Sequence, residues 1–351
     1  MKYNLTDRTK ELKTKIKSLK VNIEGMLKKM SSVVVIPHKR ADMDALASSV
    51  AFTLIAAKHQ KECHILMGDD IETIDNGARL IYDQTRNDHS YINLERFKEL
   101  PREGRLNVLC DVNPTFQIYV PRLIKANTII IDHHPVSDGT VKSAYACVDP
   151  LCSSASEIMV HLLDEYKIKY SPSLANMLLA GIFLDTDHYK GGVVTETTDE
   201  AMSLLHIAGA NNKEVNKYFR QPLEVSRRVN SIIDRIEIGN YHVGVMVADP
   251  TQVYTEEELC IAANQAITNF EIDLAIAIGY IGENLVAIKG RCNEKVDINE
   301  FMKTISETGG GRDGAGAVKL PGVTIEEAIE ILRNVIYPKH LKIEIGQLKI
   351  A

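Results

Sequence analysis

The chain groups histidine and aspartate tightly at four places. His38, Asp42 and Asp44 fall within IPHKRADMDAL, and Asp111 closes the apolar run LNVLCDV. Asp132, His133 and His134 follow NTIII, while Asp185, Asp187 and His188 end SLANMLLAGIFLDTDH. A single carboxylate after an apolar segment is ordinarily a helix cap or an ion-pair partner. Four such ends in one chain are another matter, because gathered carboxylates repel one another unless a cation neutralises them. Imidazole mixed with carboxylate, without thiolate, suits Mn2+, Fe2+ or Zn2+ better than a structural zinc site. Having more than four candidate ligands suggests two ions. A pair roughly 3.5–4 Å apart, bridged by one carboxylate, stabilises both the attacking and the leaving oxygen in phosphoryl transfer.

The elements that must hold these residues alternate between strand and helix. SVVVIPH, ECHILMG, LNVLCDV and NTIIIDHH are short buried-type strands, and DALASSVAFTLIAAKHQ, SSASEIMVHLLDEY and SPSLANMLLAGIFLDT are helices, the last two opening on Ser caps. This order predicts an α/β fold with a parallel sheet and helices on both faces. Such sheets bind ligands at the carboxyl ends of their strands, where His38, Asp111, Asp132 and His133 fall. Leu12, Ile16, Leu19, Ile23 and Leu27 recur at helical spacing, so residues 1–30 form an amphipathic helix with a basic polar face. A packed or homodimer-forming helix is expected there ahead of a membrane-surface or nucleic-acid role. The first domain, residues 31–220, ends in a long helical stretch, interrupted near Gly209 and Pro222, that supplies a helical linker over 221–238. Strands HVGVMVAD, LAIAIGY and NLVAIKGR, a helix near 255–268, another near 297–306, TGGGRDGAGA and TIEEAIEILRNVI make a smaller α/β domain over 239–340. The tail, 341–351, alternates apolar and polar residues and reads as an extra strand.

A net charge of −6 argues against a globally basic nucleic-acid binder, and no long duplex nucleic acid is expected as a partner. No apolar run approaches the roughly 18 residues of a membrane span, and the N-terminus has no signal-peptide core. The six cysteines form no CxxC pair, which argues for a reducing, cytoplasmic location.

In this order, HKRADMDA, DHHP and GIFLDTD resemble the DHH phosphoesterase superfamily, and GGGRDGAGA resembles its DHHA1 substrate-binding domain. The likeness covers about residues 8–336. HKRADMDAL is similar to the first motif of GdpP-type cyclic-di-AMP phosphodiesterases, and DPLCSSASEIMVHLL and LLAGIFLDT also match that group in kind. The resemblance implies that His38, Asp42 and Asp111 hold one metal, while Asp44, Asp111, His133 and Asp185 hold the other, with Asp111 bridging. Two divalent ions, Mn2+ first among the candidates, are expected. Asp132 would orient His133. His134 and Asp111 would be the catalytic residues, with His134 facing the scissile phosphate. Arg291 of IKGRC and the run Gly309, Gly310, Gly311 and Arg312 would bind substrate. Lys39 and Arg40 lie between ligands, where they could offset carboxylate charge, reach a phosphate or be solvated.

The chain departs from the resemblance in several places. Arg312 stands where the family has a histidine, Asn113 replaces a histidine of a DTH motif, and Ala47 replaces a glycine. GdpP-type proteins carry membrane helices, a PAS domain and a degenerate GGDEF domain ahead of the catalytic unit, where this chain has a basic helix. A standalone form and a trimmed piece both fit that difference. The expected function is two-metal hydrolysis of a cyclic dinucleotide, cyclic-di-AMP foremost, to linear pApA. The alternatives are an oligonucleotide-degrading nanoRNase or pAp phosphatase acting on short linear substrates, and a non-catalytic nucleotide sensor.

Overall fold

The apolar runs that carry the acidic ends assemble into one parallel sheet. The chain divides into two compact units, Met1–Arg220 and Gln221–Ala351. The computed structural model describes residues 6–68, 71, 74–124, 127–239, 242–293, 295–312 and 314–336. The tail at 341–351, expected as an extra strand, lies outside the described residues.

In the first unit, β1 (Ser32–Ile36), β2 (Glu62–Leu66), β3 (Ser90–Ile92), β4 (Arg105–Cys110), β5 (Thr128–Asp132) and β6 (Tyr145–Val148) lie in the order β3-β2-β1-β4-β5-β6. Every neighbouring pair is parallel. The strand order reverses between β1 and β4, which makes a crevice at their carboxyl ends. After Ser32, β1 is wholly apolar because both of its faces are covered. Val33 and Val35 enter one core, and Val34 and Ile36 enter the other.

The first core packs under α1 (Asp7–Leu27), α2 (Met43–Lys58), α3 (Asn76–Thr85), α5 (Ala155–Glu165), α6 (Pro172–Asp185), α7 (Glu196–Ile207) and α8 (Asn212–Val215). α4 (Leu94–Glu99) covers the opposite face through Phe97, helped by Val112, Ile118, Val120 and Ile124 from the loops. Helices therefore lie on both faces, but unevenly. α2 is buried almost all round. Its small residues Ala45, Ala47, Ser48, Ser49 and Ala51 let neighbouring helices approach closely. Ala47, the departure from glycine, is fully buried there.

The N-terminal helix is an integral part of this unit. Leu12, Ile16, Leu19, Ile23 and Leu27 are buried in the first core. At its start Arg8 pairs with Asp149 at 2.8 Å, and Lys15 reaches the same carboxylate at 3.2 Å. Burial pushes the Asp149 carboxyl up, but the Arg8 guanidinium outweighs it and holds the group below the usual carboxylate value. A depressed carboxyl contributes stability above its unfolded pKa and loses it as pH falls through the lower folded value. Asp149→Ala is therefore expected to cost about 3 kcal/mol at neutral pH, because Arg8 loses its buried partner. Urea denaturation from pH 7 down to about pH 2 should show the deficit shrinking below about pH 4. A loss under about 1 kcal/mol at neutral pH would show that the pair acts as an ordinary solvated one.

The second unit holds α9 (Leu223–Ile233), β7 (Ile236–Gly239), β8 (Val243–Val247), α10 (Glu256–Asn269), β9 (Leu274–Gly282) and β10 (Leu285–Cys292). α11 (Ile298–Ile305), β11 (Gly310–Arg312), β12 (Ala315–Pro321) and α12 (Ile325–Ile336) complete it. Its sheet runs β11-β12-β10-β9-β8-β7. The β8–β9 pair is parallel and the other pairs are antiparallel. α11 and α12 pack on one face, and α9 and α10 on the other. Residues 221–238, expected as a helical linker, are helical only to Ile233. They go on into the edge strand β7, and Val229 and Ile232 are buried within the second unit.

Candidate metal centre

The site residues sit where the strand order reverses. His38 follows β1, Asp111 follows β4, Asp132 ends β5, and His133 and His134 follow it. Asp42 caps α2, with Oδ1 accepting the Ala45 N–H at 3.0 Å, which leaves Oδ2 for the cluster. Asp44 lies two residues further on, fully buried. Its two oxygens accept N–H bonds from Ala155 (2.7 Å) and Ser156 (2.8 Å), at the start of α5. Asp185 is the last residue of α6, the end of a helix where the dipole disfavours a carboxylate.

Potential ligand atoms lie within 4.8 Å of one another in three trios: His38, Asp42 and Asp111; Asp111, His133 and His134; and Asp44, His133 and Asp185. His38 and Asp42 form one side of the cluster, and Asp44, His133 and Asp185 the other. Asp111 spans the two. Its Oδ2 lies 3.5 Å from His38 Nε2, and its Oδ1 lies 3.5 Å from His133 Nε2. Asp111 also holds a left-handed backbone (φ 57°) while its N–H continues the ladder to Ile131. Strain of this kind in a non-glycine residue marks a position that the surroundings over-determine.

The electrostatics call for cations. Burial and repulsion from Asp111 and Asp42 hold the Asp44 carboxyl well above the usual carboxylate value. Burial and repulsion from Asp44, Asp111 and Asp42 do the same to Asp185. Burial raises Asp111 as well. Burial would lower the His38 pKa, but the Asp42 and Asp111 carboxylates override it and push it up to about 12. Burial would raise Asp42, and His38 in turn holds it at about 2. Asp111 Oδ1 and Asp185 Oδ2 are buried without a hydrogen-bond partner. The His38 ring is oriented for a cation too, since Nδ1 donates to the Lys39 carbonyl at 2.7 Å and turns Nε2 to the carboxylates. The donor set thus fits hard divalent ions.

Such ions would displace protons from His38 and the raised carboxyls, so affinity should rise with pH. Calorimetric titration of Mn2+ near pH 7, in buffers of differing ionisation enthalpy, is expected to show about one proton or more released per ion. An observed enthalpy independent of the buffer would contradict this.

His134 and Asp132 differ from expectation. The Asp132 carboxylate accepts from His134 Nδ1 at 2.8 Å and from the His134 N–H at 3.1 Å, so it orients His134 rather than His133. Residues two apart along an extended chain project to the same side. The His133 ring lies 4.4 Å from that of His134; each brings a nitrogen to 3.5 Å from Asp111 Oδ1, and His133 also reaches Asp185 at 3.6 Å. Asn113, the departure from histidine, is buried. It donates to the His134 carbonyl at 3.0 Å and accepts from Thr140 Oγ1 at 3.0 Å, tying the β4 and β5 loops together. His188 stacks between Phe183 and Phe219, and neither it nor Asp187 joins the cluster.

Sequence reasoning missed Gly181. A Cβ there would collide with Ser156 Oγ and come within 2.7 Å of Asp44 Oδ1. The signal lay in the glycine that opens GIFLDTD and in the small residues of CSSAS.

In the second unit, Arg291 on β10 and Arg312 on β11 both pair in backbone register with Ala315. A Cβ on Gly309 would meet the backbone of Met302, and one on Gly311 would meet that of Ala315. Gly309 and Gly311 thus pack closely against α11 and β12, while a Cβ on Gly310 would come no nearer than 3.5 Å to a neighbour.

Residues 32–182 match the DHH family, N-terminal domain, and this segment belongs to that family. A membrane protein–large ribosomal subunit bL9 fusion protein of Onion yellows phytoplasma is 23% identical over 323 residues, covering 89% of this chain and 38% of that protein. The cyclic-di-AMP phosphodiesterase GdpP of Geobacillus thermodenitrificans is 25% identical over 338 residues, covering 93% of this chain and 51% of that protein. The chain thus spans about half or less of these relatives' length. The crystal structure of an exopolyphosphatase-related protein from Bacteroides fragilis superposes with a TM-score of 0.71 at 17% identity, covering 91% of this chain and 96% of that one. The fold is shared with it. Among the described residues no helix is long and apolar enough to cross a membrane.

Proposed function

We propose that the chain is a metal-dependent phosphodiesterase that opens a cyclic dinucleotide, cyclic-di-AMP first among candidates, to linear pApA. The observation that carries this reading is the Asp111 carboxylate, which presents one oxygen to each of two histidine–aspartate groups. His38, Asp42 and Asp111 would hold one ion, and Asp44, Asp111, His133 and Asp185 the other. Bound there, two divalent cations supply Lewis acidity to the attacking water and the leaving oxygen of an in-line displacement. His134, its ring fixed through Nδ1 by Asp132, is assigned to the charge at the scissile phosphate. Arg291, Gly309, Gly310, Gly311 and Arg312 are assigned to substrate phosphate or base, with the second unit as a DHHA1-type domain. The GdpP relative supports the cyclic-di-AMP reading.

Turnover of cyclic-di-AMP, pApA and pAp by the purified chain in Mn2+ tests this. Cyclic-di-AMP is expected to be hydrolysed fastest and to stop at pApA. Faster turnover of pApA or pAp would replace the reading with a nanoRNase or pAp phosphatase, and binding without turnover would replace it with a sensor.

A further inference from the structure

HKRAD places two cations between metal-site residues, and the structure separates their roles. Lys39 is committed to the scaffold. Its Nζ donates to the Phe116 carbonyl at 2.9 Å, and its N–H donates to the Gln117 carbonyl at 2.8 Å. Arg40 is different. Its N–H meets the Tyr119 hydroxyl at 3.4 Å, so its backbone is tethered, yet its exposed guanidinium has no hydrogen-bond or ion-pair partner among the described residues. It lies two residues from both His38 and Asp42, beside a cluster rich in carboxylates, and pairs with none of them. It therefore does not serve to neutralise that cluster.

The backbone at Arg40 is left-handed (φ 53°), a conformation that glycine takes freely and an arginine takes at a cost. Solubility alone gives no reason to hold a long cation in a strained, anchored turn between two site residues. A planar fork on a fixed backbone is suited to a phosphate.

We infer that Arg40 is a substrate-binding residue, gripping a phosphate of the substrate other than the one being cleaved. This rests on the phosphodiesterase reading above. Only substrates with a second phosphate, such as dinucleotides, would feel the grip.

The test compares wild type with Arg40→Ala, Arg40→Lys and Arg40→Gly in Mn2+. The substrates are cyclic-di-AMP and bis(p-nitrophenyl) phosphate, a diester with no second phosphate. For Arg40→Ala, KM for cyclic-di-AMP is expected to rise about tenfold to a hundredfold, the loss of one charge-assisted contact. Kinetics on the nitrophenyl diester and bound Mn2+ should stay within about twofold of wild type. Arg40→Lys should fall between the two, because it keeps charge but loses the fork. Arg40→Gly relieves the backbone strain, so it should melt no lower than wild type while showing the full loss on cyclic-di-AMP. Equal losses on both substrates, or unchanged KM for cyclic-di-AMP, would overturn the assignment. Wild type inert on both diesters would overturn the phosphodiesterase reading itself, and this inference with it.

Discussion

Asp111→Asn is expected to fold normally, to bind about one ion or fewer per chain, and to lose about a thousandfold or more in kcat/KM. The backbone tolerates the change, because asparagine accepts the left-handed conformation held at φ 57°. The chemistry does not. One Asp111 oxygen faces His38 and the other faces His133, each at 3.5 Å. An amide keeps only one acceptor and turns an NH2 donor towards the other group. Removing the charge also eases the repulsion that raises Asp44 and Asp185, so their carboxyls should titrate closer to the ordinary range. Elemental analysis of the purified variant together with steady-state kinetics reads both effects. More than about a tenth of wild-type turnover with two ions still bound would refute the bridging role.

The second large effect comes from a residue with no chemistry of its own. Gly181→Ala would ordinarily stabilise a helix by about 1 kcal/mol. Here the new methyl would press on Ser156 Oγ and lie 2.7 Å from Asp44 Oδ1 and 3.0 Å from Asp44 Cα. Asp44 cannot retreat, since it is fully buried and its oxygens are tied to the Ala155 and Ser156 N–H groups. The expected cost is about 1–3 kcal/mol of stability from overpacking. Displacing Asp44 should also weaken metal binding and activity about tenfold to a hundredfold. Thermal melting with and without Mn2+, alongside kcat, would measure both. A higher melting temperature with unchanged kcat would show that α2 and α6 can part without disturbing the centre.

The parallel sheet and the strand-end candidates His38, Asp111 and His133 were legible in the sequence for one physical reason, whereas Asp42, Asp44 and Asp185, on α2 and α6, came from the resemblance. Buried parallel strands read as short apolar runs, and a polar residue just past such a run lands in the crevice, as His38 and Asp111 do. The expectation that Asp111 bridges came only from family resemblance, because one carboxylate looks like any other in a sequence. The partner of Asp132 was misassigned to its neighbour in sequence. His133 and His134 both lie beside Asp111, and the hydrogen bond of Asp132 goes to the residue two positions on. Gly181 stayed hidden because its importance is an absence of volume between α2, α5 and α6, which no one-dimensional pattern displays. The same holds for the close approach of Gly309 to Met302 and of Gly311 to Ala315, which spacing alone did not display. Residues 221–238 read as a helical linker, yet Val229 and Ile232 face a core of the second unit, and strand β7 follows at once.

The most direct measurement is a metal titration of activity. Protein stripped with EDTA and dialysed is supplied with Mn2+ in steps while the opening of cyclic-di-AMP is followed. No turnover is expected before metal is added, with activity rising to a plateau at about two equivalents per chain. Turnover that persists in EDTA, or no hydrolysis at saturating Mn2+ of any phosphodiester offered, would contradict a two-ion phosphodiesterase centre at Asp111.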